Sequence, residues 1–295
     1  MADQSFESGK HIRFYAPNDE HKGKAKLVSY QQFMEIKEPI AILTPCMQMV
    51  EDMQKLYVAR GKKDVMVYLT ANSDAINWFD VDGADFVISH DLDFHRKTNA
   101  RYKMLYFNKP TILIPPKTEK ELRTAYTGKK IKLYINNFDK AGFEPEYQQA
   151  LEFRKLYEKA TGWRVPFYGY GMEDGWLSME DTQKSMVDSM FSLVYKRRDT
   201  WGQMVNESMM LGTPCIFQKQ FIYSTFKEYL INDDTAIVAE DNQTIIDRVL
   251  AMSYPEYETL VNEAYSQSYM FCDDKHRQSK LAWLFDKVAK DPKMR

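Results

Sequence analysis

Short apolar runs alternate with amphipathic segments along the chain, and this alternation constrains the fold more than any other feature. Gly, Pro or polar residues close most of the runs before a helical segment begins. Strands that alternate with helices in this way predict parallel sheets covered by helices, which is an α/β fold. The predicted strands comprise residues 12–16, 40–43, 65–69, 85–89 and 111–114 in the first half, and 131–135, 165–168, 191–195, 215–217 and 236–239 in the second.

A charged segment at residues 117–130 interrupts the alternation, and the pattern restarts after it. We therefore predict two domains, residues 1–126 and residues 127–295, which suits a chain of 295 residues. The predicted helices cover residues 46–59 in the first domain, and 146–160, 179–190, 204–211, 243–252, 257–271 and 280–289 in the second.

Composition excludes several classes of protein. The formal net charge of −2 gives no global basicity, so any contact with nucleic acid would need a local basic patch. No apolar run reaches the roughly 18–20 residues of a membrane span. The N-terminus, M-A-D-Q-S-F-E-S-G-K, lacks the basic and apolar regions of a signal peptide. The three cysteines lack the spacing of a metal site or a disulfide framework. We therefore expect a cytoplasmic protein with no membrane partner. A divalent metal is compatible with the sequence but is not implied by it.

The segment with the most candidate ligand-binding residues is 196–217, K-R-R-D-T-W-G-Q-M-V-N-E-S-M-M-L-G-T-P-C-I-F. Residues 204–211 have helical composition, and Thr200 is the predicted N-cap. The start of a helix presents unpaired backbone N–H groups and the positive end of the helix dipole. The amides near Gly202 and Gln203 are therefore predicted to bind an anion.

The charged side chains of the same segment fit a nucleotide. Lys196, Arg197 and Arg198 stand just before the predicted helix, where cations suit a bound diphosphate. Glu207 lies further along the helix, and its carboxylate can accept both hydrogen bonds of a ribose diol. The alternative interpretation is an ordinary amphipathic helix with a solvated Glu and a glycine stop.

This arrangement resembles the nucleotide-sugar site of GT-B glycosyltransferases, in which an acid, seven residues and a Glu precede a small-residue turn and a buried strand. Asp199 and Glu207 match the two acids, although the first is more often Glu in the family; Gly212 and Pro214 match the turn. The resemblance implies two Rossmann-like domains that face each other across a cleft. It also implies a UDP-sugar as donor substrate, no tightly bound cofactor, and a C-terminal helix that crosses back to the first domain.

The second half resembles the T-even phage DNA glycosyltransferases in the order of its features, from the opening strand through F-Y-G-Y-G to N-E-S-M-M. This narrower resemblance implies transfer of glucose, or of a pentose such as arabinose, to 5-hydroxymethylcytosine in double-stranded phage DNA, within the host cytoplasm. This chain departs from the beta-type phage DNA glucosyltransferase in one loop. The loop N-N-F-D-K-A-G-F has only Lys140 at the place where that enzyme carries arginines. The diphosphate would then be bound by Lys196, Arg197 or Arg198.

The first half must supply the acceptor site, and a base if the transfer inverts configuration. Two loops at predicted strand ends qualify, because parallel sheets bind ligands there. Asp74 ends the loop T-A-N-S-D, and Asp91 lies in H-D-L-D-F-H. The phage-enzyme resemblance favours Asp74, whereas the local density of titratable groups favours Asp91. A transfer that retains configuration would need neither.

Two other functions fit the same residues. The fold can act on a cell-envelope glycan or a small molecule instead of DNA. A protein of another class, which binds a sugar nucleotide without transferring the sugar, would also need the segment at 196–217.

Overall fold

The computed structural model describes residues 30–44, 50–70, 84–90, 92–107, 109–136, 138, 144–196, 202–222 and 228–294. Within these ranges, nine strands form two sheets, and every strand pair is parallel. Within the described ranges, helices separate most consecutive strands, as the alternation in the sequence predicts. The predicted strand at 12–16 lies outside the described residues.

The first sheet contains four strands in sequential order. Its strands are β1 (Ala41–Thr44), β2 (Val65–Thr70), β3 (Phe86–Ser89) and β4 (Tyr102–Leu105), and its helices are α1 (Tyr30–Met34), α2 (Val50–Ala59) and α3 (Leu92–Lys97). Neighbouring residues of β2 face opposite sides of this sheet. Met66 packs in a cluster with Phe33 and Leu56, and Val67 packs in another with Leu284.

The second sheet contains five strands in the order β6-β5-β7-β8-β9. These are β5 (Ile131–Tyr134), β6 (Phe167–Tyr168), β7 (Phe191–Val194), β8 (Cys215–Gln218) and β9 (Ala236–Ala239). The helices are α4 (Glu119–Gly128), α5 (Glu144–Thr161), α6 (Met179–Val187), α7 (Gln203–Met210), α8 (Asn242–Ala251) and α9 (Tyr254–Cys272). Every residue of β5, β7 and β8 is buried, as expected of parallel strands covered on both faces.

The order of the second sheet reverses at β5. The chain passes from β5 to β6 on one side, and then crosses to β7 on the other side. The loops that leave the carboxyl ends of β5 and β7 therefore diverge, which opens a crevice between them. Ligands of open α/β sheets bind at such a switch point. The topology thus places the segment that begins at Lys196 beside this crevice.

The last helix, α10 (Asp274–Ala289), packs against the first sheet, whereas α9 before it packs against α7. Leu284 is buried among residues of β2, β3 and β4. Lys280 Nζ donates a hydrogen bond to the Leu105 carbonyl (3.0 Å). Just beyond the helix, Lys293 Nζ lies 2.9 Å from Asp85 Oδ2. These contacts tie the end of the chain to the first sheet.

One predicted strand was wrong. Residues 111–114 do not form a strand, because Pro110 and Pro115 flank them and the Leu113 N–H donates to Gln183 Oε1 (2.8 Å) instead of a neighbouring strand. The fourth strand of the first sheet is β4. The charged segment 117–130 contains α4, which begins with a capping box between Thr118 and Glu121. None of the helices in the described ranges combines the length and hydropathy needed to cross a membrane.

Candidate functional site

Four of the predicted site residues lie at the carboxyl end of β7, beside the switch point. Lys196 follows the strand and is half-buried, and Gly202, Gln203 and Glu207 belong to the start of α7 and its first turns. The other predicted site residues lie outside the described residues; these are Arg197, Arg198, Asp199, Asp74 and Asp91.

The N-cap of α7 lies two residues later than predicted. It is Gly202, not Thr200, which lies outside the described residues. The Gly202 carbonyl accepts hydrogen bonds from the amides of Val205 (3.1 Å) and Asn206 (3.3 Å). No side chain caps the helix, so the amides of its first turn are not bonded by an N-cap side chain. This is the geometry that suits an anion at the start of a helix.

Glu207 is the most unusual side chain of the candidate site. It is only 8% exposed, yet its carboxylate has no hydrogen-bond or ion-pair partner among the described residues. Burial raises the pKa of the Glu207 carboxyl above its ordinary value. Buried carboxylates are normally paired, so an unpaired one in the first turns of α7 is a candidate for binding a ligand.

Helix geometry places Glu207 with the first-turn amides. It follows Gln203 by four residues, which puts both on one face, about 6 Å apart along the axis. Val205 and Met209 lie on the opposite face and pack into the core that covers β7 and β8. The buried face of α7 therefore fixes Glu207 at one turn from the helix start, facing away from that core.

The Gly-x-Pro turn of the motif has a structural role. Gly212 adopts a positive φ of 78°. The Gly212 N–H donates to the Met209 carbonyl (3.0 Å), and the Thr213 N–H donates to the Ser208 carbonyl (2.8 Å). This is a Schellman motif, which requires glycine for its left-handed residue. The turn ends α7 and leads directly into β8. It therefore sets the orientation of the helix that carries Glu207.

A buried lysine, absent from the sequence-based site, fastens this turn to the segment before α4. Lys117 Nζ donates to the Gly212 carbonyl (2.8 Å) and also contacts Thr213 Oγ1. Thr213 Oγ1 in turn donates to the Met186 carbonyl (2.7 Å). Burial lowers the pKa of Lys117 well below its ordinary value. Lys117 lies at the opposite end of α7 from the first-turn amides, so its role is to hold the helix.

A second polar network lies behind the strand ends, and sequence reasoning missed it. Tyr195 Oη donates to Asn242 Oδ1 (2.6 Å), and Gln218 Nε2 donates to the same oxygen (3.1 Å). The Asn242 amide donates to the Gln149 carbonyl (3.0 Å) on α5. Burial raises the pKa of Tyr195 well above its ordinary value, so it remains a neutral donor. In the sequence, Tyr195 follows β7, Gln218 ends β8 and Asn242 begins α8, a pattern that does not identify a network.

The loop after β6 passes very close to the end of β5. Gly169 has φ of 152°, and a Cβ atom there would lie 2.6 Å from the carbonyl carbon of Ile135. The next amide, of Tyr170, donates to Asn136 Oδ1 (2.8 Å). This loop therefore forms one wall of the crevice at the switch point.

The described part of the H-D-L-D-F-H segment is held by structural contacts. His90 is buried and its Nδ1 bonds to the Tyr106 carbonyl; burial lowers the pKa of His90. Asp93 lies 4.0 Å from Arg96, which also pairs with Glu228 at 2.7 Å. In the part of the chain that the structure describes, no three His, Cys, Asp or Glu side chains are placed to hold a metal ion.

Glu207→Gln is expected to stabilise the free protein at neutral pH. Because the folded-state pKa of Glu207 is raised, ionising it opposes folding; this cost is absent at low pH and grows as the pH rises through the folded pKa. We expect a melting temperature a few degrees above wild type at pH 8, with the gap closing near pH 4. Calorimetric melting across that range measures it; a gap independent of pH would contradict the assignment.

Solved structures similar to this chain are glycosyltransferases. A mutant of S. aureus TarM in complex with Fondaparinux, alpha-GlcNAc-glycerol and UDP matches with a TM-score of 0.63 at 13% identity, over 89% of this chain and 60% of that one. The pneumococcal O-GlcNAc transferase GtfA in complex with UDP and GlcNAc gives 0.61 at 12%, over 90% and 62%. Anabaena HepE in complex with UDP-glucose gives 0.61 at 10%, over 87% and 80%.

The chain thus spans about three fifths of the length of TarM and GtfA. No protein-family model and no curated protein sequence matches it. The matches to TarM, WaaB and a sucrose-phosphate synthase span 89%, 87% and 88% of this chain. The chain therefore has the GT-B fold, an α/β architecture in which two Rossmann-like domains face each other across a cleft.

Proposed function

We propose that this chain is a glycosyltransferase that takes its sugar from a UDP-sugar donor. The observation that carries the proposal is Glu207, a buried carboxylate without a partner among the described residues, placed one turn into the helix that follows β7. A carboxylate at that position can accept the two hydrogen bonds of a ribose diol. The complexes of TarM and GtfA with UDP, and of HepE with UDP-glucose, support the donor class.

The remaining donor-site roles follow from position. The diphosphate binds at the start of α7, where the amides near Gly202 and Gln203 meet the positive end of the helix dipole. Lys196, together with Arg197 and Arg198, supplies the cations that neutralise it. Asp199 stands at the start of the same motif as its first acid.

For the acceptor we propose 5-hydroxymethylcytosine in double-stranded DNA, on the resemblance of the second half to phage DNA glycosyltransferases. A hexose or a pentose would be transferred, and Asp74 or Asp91 would take the proton of the acceptor hydroxyl if the reaction inverts configuration. The competing acceptor is a cell-envelope glycan. WaaB, a lipopolysaccharide outer core galactosyltransferase that matches with a TM-score of 0.59 at 15% identity, supports that alternative.

A donor and acceptor panel tests the proposal. The protein is incubated with UDP-glucose, UDP-galactose, UDP-N-acetylglucosamine or UDP-arabinose, and with duplex DNA that contains either hydroxymethylated or plain cytosine. Nucleoside mass spectrometry should show a sugar adduct only on the hydroxymethylated duplex, with stoichiometric UDP release. The protein should also bind DNA, with an affinity that falls steeply as the salt concentration rises.

The outcomes separate the alternatives. Transfer to a lipopolysaccharide core fragment, with no adduct on DNA, would establish the envelope acceptor. Tight UDP binding without transfer to any acceptor would identify a binding protein of another class. A failure to bind UDP or any UDP-sugar would contradict the proposed donor itself.

A further inference from the structure

Basic side chains from three elements of the first domain side meet at the edge of the first sheet. The last turn of α3 carries His95, Arg96 and Lys97, and β4 and α10 contribute Lys103 and Lys280. The His95 side chain hydrogen-bonds to the backbone of Lys103. We call the group formed by Arg96, Lys97, Lys103 and Lys280 the cationic surface.

The environment of His95 shows that these charges lie close together. Burial lowers the pKa of His95, and the positive charges of Lys103, Arg96 and Lys280 lower it further. Lys280 is fixed in this position, because its Nζ donates to the Leu105 carbonyl (3.0 Å) at the end of β4. Residues that are distant in the sequence therefore place positive charge around one imidazole.

Few carboxylates offset the cationic surface. Arg96 pairs with Glu228 at 2.7 Å and lies 4.0 Å from Asp93. The three lysines of the surface, in contrast, have no carboxylate within ion-pair distance in the part of the chain that the structure describes. Like charges that are gathered without partners repel one another, and a bound polyanion relieves that repulsion.

The cationic surface lies beside the candidate acceptor side of the protein. It starts in α3, which begins at Leu92, directly after the end of β3 and the candidate base Asp91. Its Arg96 contacts Glu228, which follows β8 in the second domain. A polyanion bound here would therefore lie at the junction of the two domains, next to the end of β3.

The residue types indicate which polyanion fits. An isolated phosphate on a sugar is bound best by a free arginine in bidentate geometry. The Arg96 Nη2, however, lies 2.7 Å and 2.8 Å from the two carboxylate oxygens of Glu228. Lysines act as point charges and suit the repeated phosphates of a duplex, which carries one negative charge per about 1.7 Å of its axis. Three lysines on three elements therefore favour a nucleic-acid backbone.

We propose that the cationic surface binds the phosphate backbone of the DNA acceptor. The inference rests on the proposed function and deepens it, because it assigns the phosphates of the acceptor to named side chains. Contacts with phosphates fix the orientation and register of a duplex without reading its sequence. Selection of hydroxymethylated cytosine therefore rests with other groups.

The test measures binding of a short duplex of plain cytosine by fluorescence anisotropy across a series of salt concentrations. The surface variant Lys97→Gln/Lys103→Gln removes two charges, and its matched control, Lys120→Gln/Lys159→Gln, removes two exposed lysines from α4 and α5. We expect the surface variant to bind roughly tenfold more weakly at low salt, and the control to bind like wild type. The slope of log K against log salt should fall by nearly 2, because each lost phosphate contact removes about 0.9.

Two further measurements keep the result specific. Lys97 is exposed, so Lys97→Gln alone should fold normally and should lower the slope by about 0.9. Both double variants should bind UDP like wild type, because none of the four lysines belongs to the proposed donor site. A surface variant that binds DNA more weakly with an unchanged slope would show that the lysines do not contact phosphates, and the inference would be wrong.

The other outcomes distinguish this inference from the proposed donor function. If the wild-type protein binds no duplex, or if the two double variants bind it equally, the surface assignment is wrong and the donor proposal stands. If the surface variant instead raises only the KM for a phosphorylated glycan, the surface binds a glycan phosphate and the DNA assignment is wrong. DNA binding through these lysines without any UDP binding would contradict the donor proposal and support the surface.

Discussion

Glu207→Ala is expected to weaken UDP binding on the order of 100-fold. A ribose diol can donate two hydrogen bonds to the carboxylate, and a hydrogen bond to a charged group contributes about 1.5–3 kcal/mol. Since 1.4 kcal/mol is tenfold in affinity, the loss of both bonds at the lower end, about 3 kcal/mol, corresponds to roughly 100-fold weaker binding. Isothermal calorimetry with UDP measures the change directly.

A second glutamate provides the control for charge. Glu263 is exposed on α9, and Glu263→Ala makes the same change in net charge away from the switch point. We expect it to bind UDP like wild type. The Glu207→Ala protein should also melt no lower than wild type, because its carboxylate has no partner among the described residues. An unchanged UDP affinity in the Glu207 variant would remove the main support for the donor site.

The strands of the second sheet could be predicted well from the sequence. The run at 236–239 coincides with β9, and the predicted strand at 215–217 differs from β8 by one residue. Buried parallel strands are continuous apolar runs bounded by turn residues, so their signal is local. The predicted helix at 204–211 likewise matches α7 within one residue at each end, because Gly212 closes it.

The first half shows where local signals fail. Residues 111–114 are more apolar than β4, which contains Lys103 and is only partly buried. The sheet nevertheless contains β4, because the Gln183 side chain bonds to the Leu113 N–H and the Thr111 carbonyl, and prolines flank the run on both sides. Which of two apolar runs joins a sheet depends on backbone hydrogen bonds that composition does not encode.

The candidate site, too, could be predicted only in part from the sequence. The spacing of Asp199 and Glu207 and the glycine stop were visible in the sequence, and they located Glu207 at the start of the helix after β7. Its burial without a partner was not visible, because that depends on the packing of both faces of α7.

Gly169→Ala is expected to destabilise the protein by about 3 kcal/mol or more. The strained backbone conformation contributes about 1–3 kcal/mol for a residue with a side chain, and overpacking contributes a similar amount. The clash is with backbone, since the added Cβ would lie 2.6 Å from the Ile135 carbonyl carbon and 3.0 Å from the Asn136 nitrogen. Relief requires β6 and its loop to move away from β5.

A comparison with Gly175→Ala separates the cost of backbone strain from the cost of a steric clash. Gly175 lies in the same loop with a positive φ of 82°, but an added Cβ there meets nothing within 4 Å. Gly175→Ala should lower the free energy of unfolding by about 1 kcal/mol, because only the backbone conformation is unfavourable for alanine. Melting curves should therefore show a much larger loss of stability for Gly169→Ala than for Gly175→Ala, and UDP affinity should fall with it, because the wall of the crevice moves. Equal melting temperatures for the two variants would mean that the loop after β6 shifts easily away from the end of β5, which would contradict its role as a fixed wall of the crevice.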